Sequence, residues 1–147
     1  MEVRRNLSND YVVGLVDGEG SFTVYIKNPA LHKNGERRVK AEPRFYIKLI
    51  EKDKSILYEL QKFFGCGNMY FQKDTRPNHQ NCYRFEVTNR EDLVKTIIPF
   101  FKKNRLLFSS KLHDFTLFYD LMERIKMGNH LTDIGLNEMF NIKKLMH

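Results

Sequence analysis

The spacing of apolar and polar positions changes period several times along this chain, and each change marks an element. Val12, Val13, Leu15 and Val16 crowd almost the whole circumference of a short helix, which the cap-type residues Ser8, Asn9 and Asp10 open and the run Asp17-Gly18-Glu19-Gly20 halts. A helix that is apolar all round is a buried helix. In so small a chain this predicts that a second subunit supplies part of the cover, with Val12, Val13, Gly14 and Val16 at the interface and Gly14 admitting close approach of another backbone.

The period then falls to two. Over 20–27, Phe22, Val24 and Ile26 alternate with Ser21, Thr23, Tyr25 and Lys27, which predicts a strand with one core face. A loop over 28–38 carries Asn-Pro and Asn-Gly turn signals and the basic residues Lys33, Arg37 and Arg38. A second strand over 39–50 sets Ala41, Phe45, Ile47 and Leu49 against Lys40, Glu42, Arg44, Tyr46 and Lys48. Helical spacing returns at Ile56, Leu57, Leu60, Phe63 and Phe64, after a capping Asp53 and before Gly65.

A second hairpin repeats the first. Met69 and Phe71 are expected to join Tyr83, Phe85 and Val87 in the core, with Tyr70, Gln72, Arg84 and Glu86 facing the other way and Lys73, Arg76 and a Pro77-Asn78 turn between the strands. Asn89, with Asp92 three residues on, caps a helix striped by Leu93, Val94, Ile97 and Ile98 that Pro99 should break or bend. Ser109 or Ser110 opens a long helix to about Met127, with Leu112, Phe115, Phe118, Tyr119, Met122 and Ile125 inward. Gly128-Asn129 stops it, and Thr132-Asp133 starts the last helix.

The order is αββαββα plus extra C-terminal helices. It predicts an α+β fold, in which a four-stranded antiparallel sheet carries helices on one face and leaves the other to solvent. Thr23, Tyr25, Lys27, Lys40, Arg44, Tyr46, Lys48, Tyr70, Gln72 and Arg84 fall on or beside that open face, with only Glu42 and Glu86 acidic among them. Basic, aromatic and amide groups on adjacent strands suit base edges in a major groove.

Length and charge narrow the picture. The 147 residues make a single domain, 1–147, with room for a core, and 25 Lys+Arg against 18 Asp+Glu give a net charge of +7, which favours a polyanionic partner. No apolar run is long enough to span a membrane, and the polar start Met1-Glu2-Val3-Arg4-Arg5-Asn6 is no signal peptide, so an intracellular protein is expected. Two cysteines without C-x-x-C spacing fit a reducing compartment. Twelve Phe, 12 Asn and 15 Lys against two Ala suggest AT-rich coding DNA, a bias common in organelles.

Hydrolysis of a phosphodiester calls for a divalent cation, and hard cations take carboxylate and carbonyl oxygens. Glu19 and the carbonyl of Gly18 offer such oxygens at a fixed helix end. One carboxylate makes a thin site, but two chains packed through their first helices would bring two copies of Glu19 together beside both strands of a duplex.

At this point a resemblance stands out. Val12-Val13-Gly14-Leu15-Val16-Asp17-Gly18-Glu19-Gly20 resembles the LAGLIDADG motif position for position. The same homing endonuclease family is resembled by Phe45-Tyr46-Ile47-Lys48-Leu49 with Lys52-Asp53-Lys54, by Phe63-Phe64-Gly65-Cys66-Gly67-Asn68, by Ser109-Ser110-Lys111 with Asp114-Phe115, and by His130 to Leu136. The likeness covers nearly the whole chain. It implies a saddle-shaped DNA-binding sheet with the motif helices at a dimer or domain interface. It also implies Mg²⁺-dependent double-strand cleavage, with Mn²⁺ as a substitute, across the minor groove of a long pseudo-palindromic site, leaving short 3′ overhangs. Glu19 is then the metal-binding and catalytic acid, Gly18 lends its carbonyl, Lys111 is the basic residue that supports the solvent network or developing charge, and Asp17 is a structural cap. Leu49 stands where some members carry a glutamine. One motif implies a homodimer, with half of a longer two-motif monomer as the alternative.

Other readings carry less. His79 with Asn78 and Asn81 lacks the partners of an H-N-H nuclease, and Cys66, Cys82, His79 and His113 show no zinc-ligand spacing. An intron maturase, binding host intron RNA through the same fold, is the alternative from another class. The retained Glu19 favours the nuclease over it. A transcriptional regulator would need an added helix-turn-helix domain. The resemblance to intron-borne enzymes, with the composition, points to a mitochondrion or chloroplast.

Overall fold

The computed structural model describes residues 6–33 and 40–147. Met1 to Arg5, the Asn34-Gly35 turn, Arg37, Arg38 and Val39 lie outside the described residues. The first helix, α1 (Asn9–Glu19), begins where Ser8 Oγ accepts from the backbone N–H of Tyr11 at 3.1 Å. It feeds β1 (Gly20–Ile26), which pairs with β2 (Ala41–Ile50). Then come α2 (Lys54–Phe64) and a second hairpin, β3 (Asn68–Gln72) and β4 (Cys82–Val87). A helix over 90–103, here α3, leads to α4 (Ser109–Lys126) and α5 (Asp133–Lys143).

All pairings are antiparallel and the strand order is β1-β2-β4-β3, so the two hairpins join through β2 and β4. Alternation decides the faces. Phe22, Val24, Ile26, Ala41, Phe45, Ile47, Phe85 and Val87 are buried beneath the helices, as their period-two spacing requires. The core centres on Phe22, whose ring lies 5.1 Å from Phe45, 5.5 Å from Phe101, 5.2 Å from Phe115 and 5.5 Å from Phe118. Two strands and two helices therefore meet on one side chain.

Three local expectations are corrected. Phe71 is 51% exposed, because β3 is the edge strand of the sheet; the ring rests on Tyr83 at 5.3 Å. Asp53 occupies the cap position of α2 without a side-chain cap bond, while Gly65 ends the helix as expected with φ of 70°. Of the break or bend expected at Pro99, the break does not occur. The stretch Leu93–Ile97 widens into a π-turn, with Ile98 N–H reaching Leu93 O, and the helix resumes at Ile98–Lys103. A π-bulge relaxes the ladder one residue before the proline, which has no N–H to donate. Asn89 caps as expected, its Oδ1 accepting from Asp92 N at 3.0 Å.

Candidate active site and nucleic-acid interface

The end of α1 is built by Gly20. Its N–H bonds to Val16 O, and the backbone turns at once into extended geometry. A Cβ there would lie 2.7 Å from Val16 Cγ1 and 2.9 Å from the Val16 carbonyl oxygen, so any larger residue would force the junction to shift. Glu19 is left exposed at the last helical position. The final carbonyls of a helix have no intrahelical partner and carry partial negative charge, which suits a cation.

Two residues lock this junction to α4. Lys111 Nζ, half-buried in the first turn of α4, donates to the Gly20 carbonyl. Asp17 is buried, and its carboxylate accepts from the backbone N–H of Leu107 at 2.9 Å and of Phe108 at 3.1 Å. It is a structural carboxylate, as expected, but it holds the segment entering α4 rather than capping its own helix.

The donor set fits a hard divalent cation in type and falls short in number. Glu19 and the Gly18 backbone offer oxygens, Asp17 is committed to two amides, and among the described residues no three His, Cys, Asp or Glu side chains converge. The same observation removes the zinc grouping of Cys66, Cys82, His79 and His113; both cysteines are free thiols.

The outward face of α1 differs from expectation. Val12 and Val16 are 0% exposed and Val13 is buried, because they pack into this chain's own core. Of the four expected interface residues only Gly14 is exposed. The outward stripe is Tyr11, Gly14, half-buried Leu15 and Gly18, at i, i+3, i+4 and i+7. Among the described residues, nothing lies within 4 Å of a Cβ built on Gly14 or Gly18. Beside this stripe's C-terminal end, Leu107 and Phe108 stand out at 80% and 57% exposed.

The open sheet face carries the expected polar rows. The register sets Thr23 opposite Arg44, Tyr25 opposite Glu42, Tyr46 opposite Glu86, and Lys48, Arg84 and Tyr70 in one line across three strands. Gln72 lies opposite Cys82, while Lys27 and Lys40, both exposed, flank the strands of the first hairpin.

A sequence model of the LAGLIDADG endonuclease family matches residues 12–122, which span α1 through most of α4. The chain belongs to the LAGLIDADG endonuclease family.

Relatives place this LAGLIDADG chain against larger proteins. It is 33% identical over 135 residues to a probable intron-encoded endonuclease of Neurospora crassa, an alignment covering 91% of this chain and 24% of that protein. Among solved structures it superposes on the homing endonuclease I-TnaI with a TM-score of 0.79 and 34% identity, covering 97% of this chain and 90% of that one. On I-SmaMI bound to an uncleaved DNA target in the presence of calcium ions, the TM-score is 0.77 at 31% identity, covering 93% of this chain and 44% of that one. The chain thus spans about a quarter of its Neurospora relative.

Within the LAGLIDADG architecture, Glu19, Gly18 and Lys111 come together at one junction, and the sheet residues form a separate surface. Leu49 is half-buried against the core and supplies no polar group. Two features escaped sequence reasoning. Lys143 of α5 lies 5.2 Å over the Tyr25 ring, and burial pushes its ammonium pKa down. Glu86 draws in two arginines: its Oε1 is 2.8 Å from Arg44 Nε and 3.6 Å from an Arg84 terminal nitrogen, while the Arg84 guanidinium lies 3.8 Å over the Tyr46 ring. No periodicity reveals the first. The second was half legible, since Glu86 is one of two acids on a basic face.

Proposed function

We propose that this chain is the cleavage domain of a site-specific homing endonuclease, which hydrolyses both strands of a DNA duplex with a divalent cation, Mg²⁺ by preference. The observation that carries this reading is the junction where Glu19 stands exposed while Lys111 is fixed on the neighbouring Gly20 carbonyl. Glu19 and the Gly18 carbonyl would hold the ion, which when bound acidifies water and stabilises charge on the phosphate. The Lys111 ammonium holds a positive charge beside the scissile group.

Pairing of two first helices completes the site. The apolar stripe of Tyr11 and Leu15, flanked by Leu107 and Phe108, supports a two-fold partner, and the open space over Gly14 and Gly18 lets the helices close to backbone distance. The single motif helix, with its outward stripe open to a second copy, supports a homodimer of this chain on a pseudo-palindrome. The 44% coverage of I-SmaMI supports the same pairing within a longer chain as the alternative. The abundance of Phe, Asn and Lys and the intron-encoded relative support an organellar intron as the source.

Cleavage of a randomised duplex library with Mg²⁺, Ca²⁺ or EDTA tests the reading, with Glu19→Gln alongside. Cutting with Mg²⁺, lost in the variant while binding persists, is expected; a Glu19→Gln protein that still cuts overturns the assignment. Binding to host intron RNA with no cutting of DNA under any condition would replace the nuclease with a maturase.

A further inference from the structure

We infer that Glu86 is a positioning residue for specificity: its carboxylate sets Arg44 and Arg84 in one arrangement, so that together they read guanine edges rather than gripping phosphates. This rests on the DNA-binding reading above. The three residues occupy adjacent strands on the open face, with Glu86 directly opposite Tyr46 and Arg44 one diagonal away. Arg84 stacks on Tyr46 and reaches Glu86 with a terminal nitrogen; Arg44 approaches through Nε. On a face that is otherwise open, the Glu86 and Arg84 side chains are only 12% and 18% exposed, packed with Tyr46 and Arg44.

An acid at the centre of a cationic surface weakens attraction to every phosphate. Its presence is accounted for if it supplies order instead. A free arginine has many rotamers, and that freedom is lost when DNA immobilises it. Holding two arginines in place beforehand removes part of that loss for the one arrangement held, and leaves it for all others. The buried Nε–H groups of Arg44 and Arg84 make no well-directed hydrogen bond, so the arrangement is kept by ion pairing and stacking with the donors incompletely satisfied. An arginine fork matches O6 and N7 of guanine, whereas contacts to phosphate carry no sequence information. A merely structural Glu86, pinning β2 to β4, would affect stability alone.

The test is equilibrium binding in Ca²⁺ to the preferred duplex, to each of its single base-pair variants and to an unrelated duplex. Native protein, Glu86→Gln, Arg44→Ala, Arg84→Ala, and Glu86→Gln in the double-alanine background are compared. With Glu86→Gln, discrimination at the base pairs governed by the two arginines should fall roughly tenfold. Affinity for the unrelated duplex should rise by about two- to fivefold as one negative charge leaves the face. In the double-alanine background the substitution should leave discrimination unchanged. Full discrimination by Glu86→Gln, or an equal loss without the arginines, overturns the inference and spares the DNA reading. A native chain that prefers no duplex overturns both. If Glu86→Gln fails to melt cooperatively, Glu86→Asp, which keeps the charge but retracts it by one methylene, carries the same expectation of lost discrimination.

Discussion

The carboxylate of Asp17 accepts hydrogen bonds from Leu107 N and Phe108 N, across 90 and 91 positions of sequence. It thereby ties the end of the helix that presents Glu19 to the segment entering the helix that presents Lys111. Replacing Asp17 by Ala leaves both amides without that acceptor and should lower stability by about 2–4 kcal/mol, read as a lower thermal midpoint. Cleavage should fall further than the melting loss explains, because Lys111 follows Phe108 by only three residues. Activity that simply tracks the folded fraction would show that the tie does not position the site.

Gly14 and Gly20 belong to one motif and should respond oppositely. A Cβ on Gly14 meets none of the described residues, so Gly14→Leu should keep the monomer's thermal midpoint while abolishing self-association and cleavage. Gly20→Ala forces a Cβ onto Val16 and should destabilise the fold by about 1–3 kcal/mol. Sedimentation together with thermal melting separates the two. A Gly14→Leu protein that still dimerises and cuts would move the partner to another surface.

Lys111→Met removes the ammonium held on the Gly20 carbonyl while keeping most of the side chain's length. Single-turnover cleavage should slow on the order of a hundredfold, as for loss of one preorganised stabilising group, with DNA affinity little changed. An equal loss in binding and cleavage would make Lys111 a phosphate contact instead.

Cys66 offers a pH-dependent readout. Burial, reinforced by the negative charge of Asp92, pushes its thiol pKa up. A folded pKa raised above the unfolded one gives a contribution that is complete below the unfolded value and is lost as pH climbs through the folded value. Stability relative to Cys66→Ser should therefore hold through neutrality and decline from about pH 8.5 upward. Alkylation of native protein at pH 8 should be slower at Cys66 than in the denatured chain. Chemical denaturation of the pair across this range, with mass spectrometry of the alkylated protein, checks both.

What the sequence alone determined here is whatever repeats with the geometry of its own element. Period two assigned Phe22, Phe45, Ile47 and Phe85 to the covered face and Arg44, Tyr46 and Arg84 to the open one. Helical spacing placed Leu57, Leu60 and Phe64, and the run to Gly20 located Glu19 at the end of α1. These relations are local, so a single chain records them. Tertiary structure decided the rest, because it turned on which neighbour arrived. The core covered Val12 and Val16, leaving Tyr11, Gly14 and Leu15 outward. The strand order put Phe71 at an uncovered edge, and a widened turn absorbed Pro99. Asp17 found its amides some ninety residues on, and Glu86 its two arginines, one on its own strand and one on the next. No periodicity within one element encodes such pairings, since their energy exists only when separate segments meet.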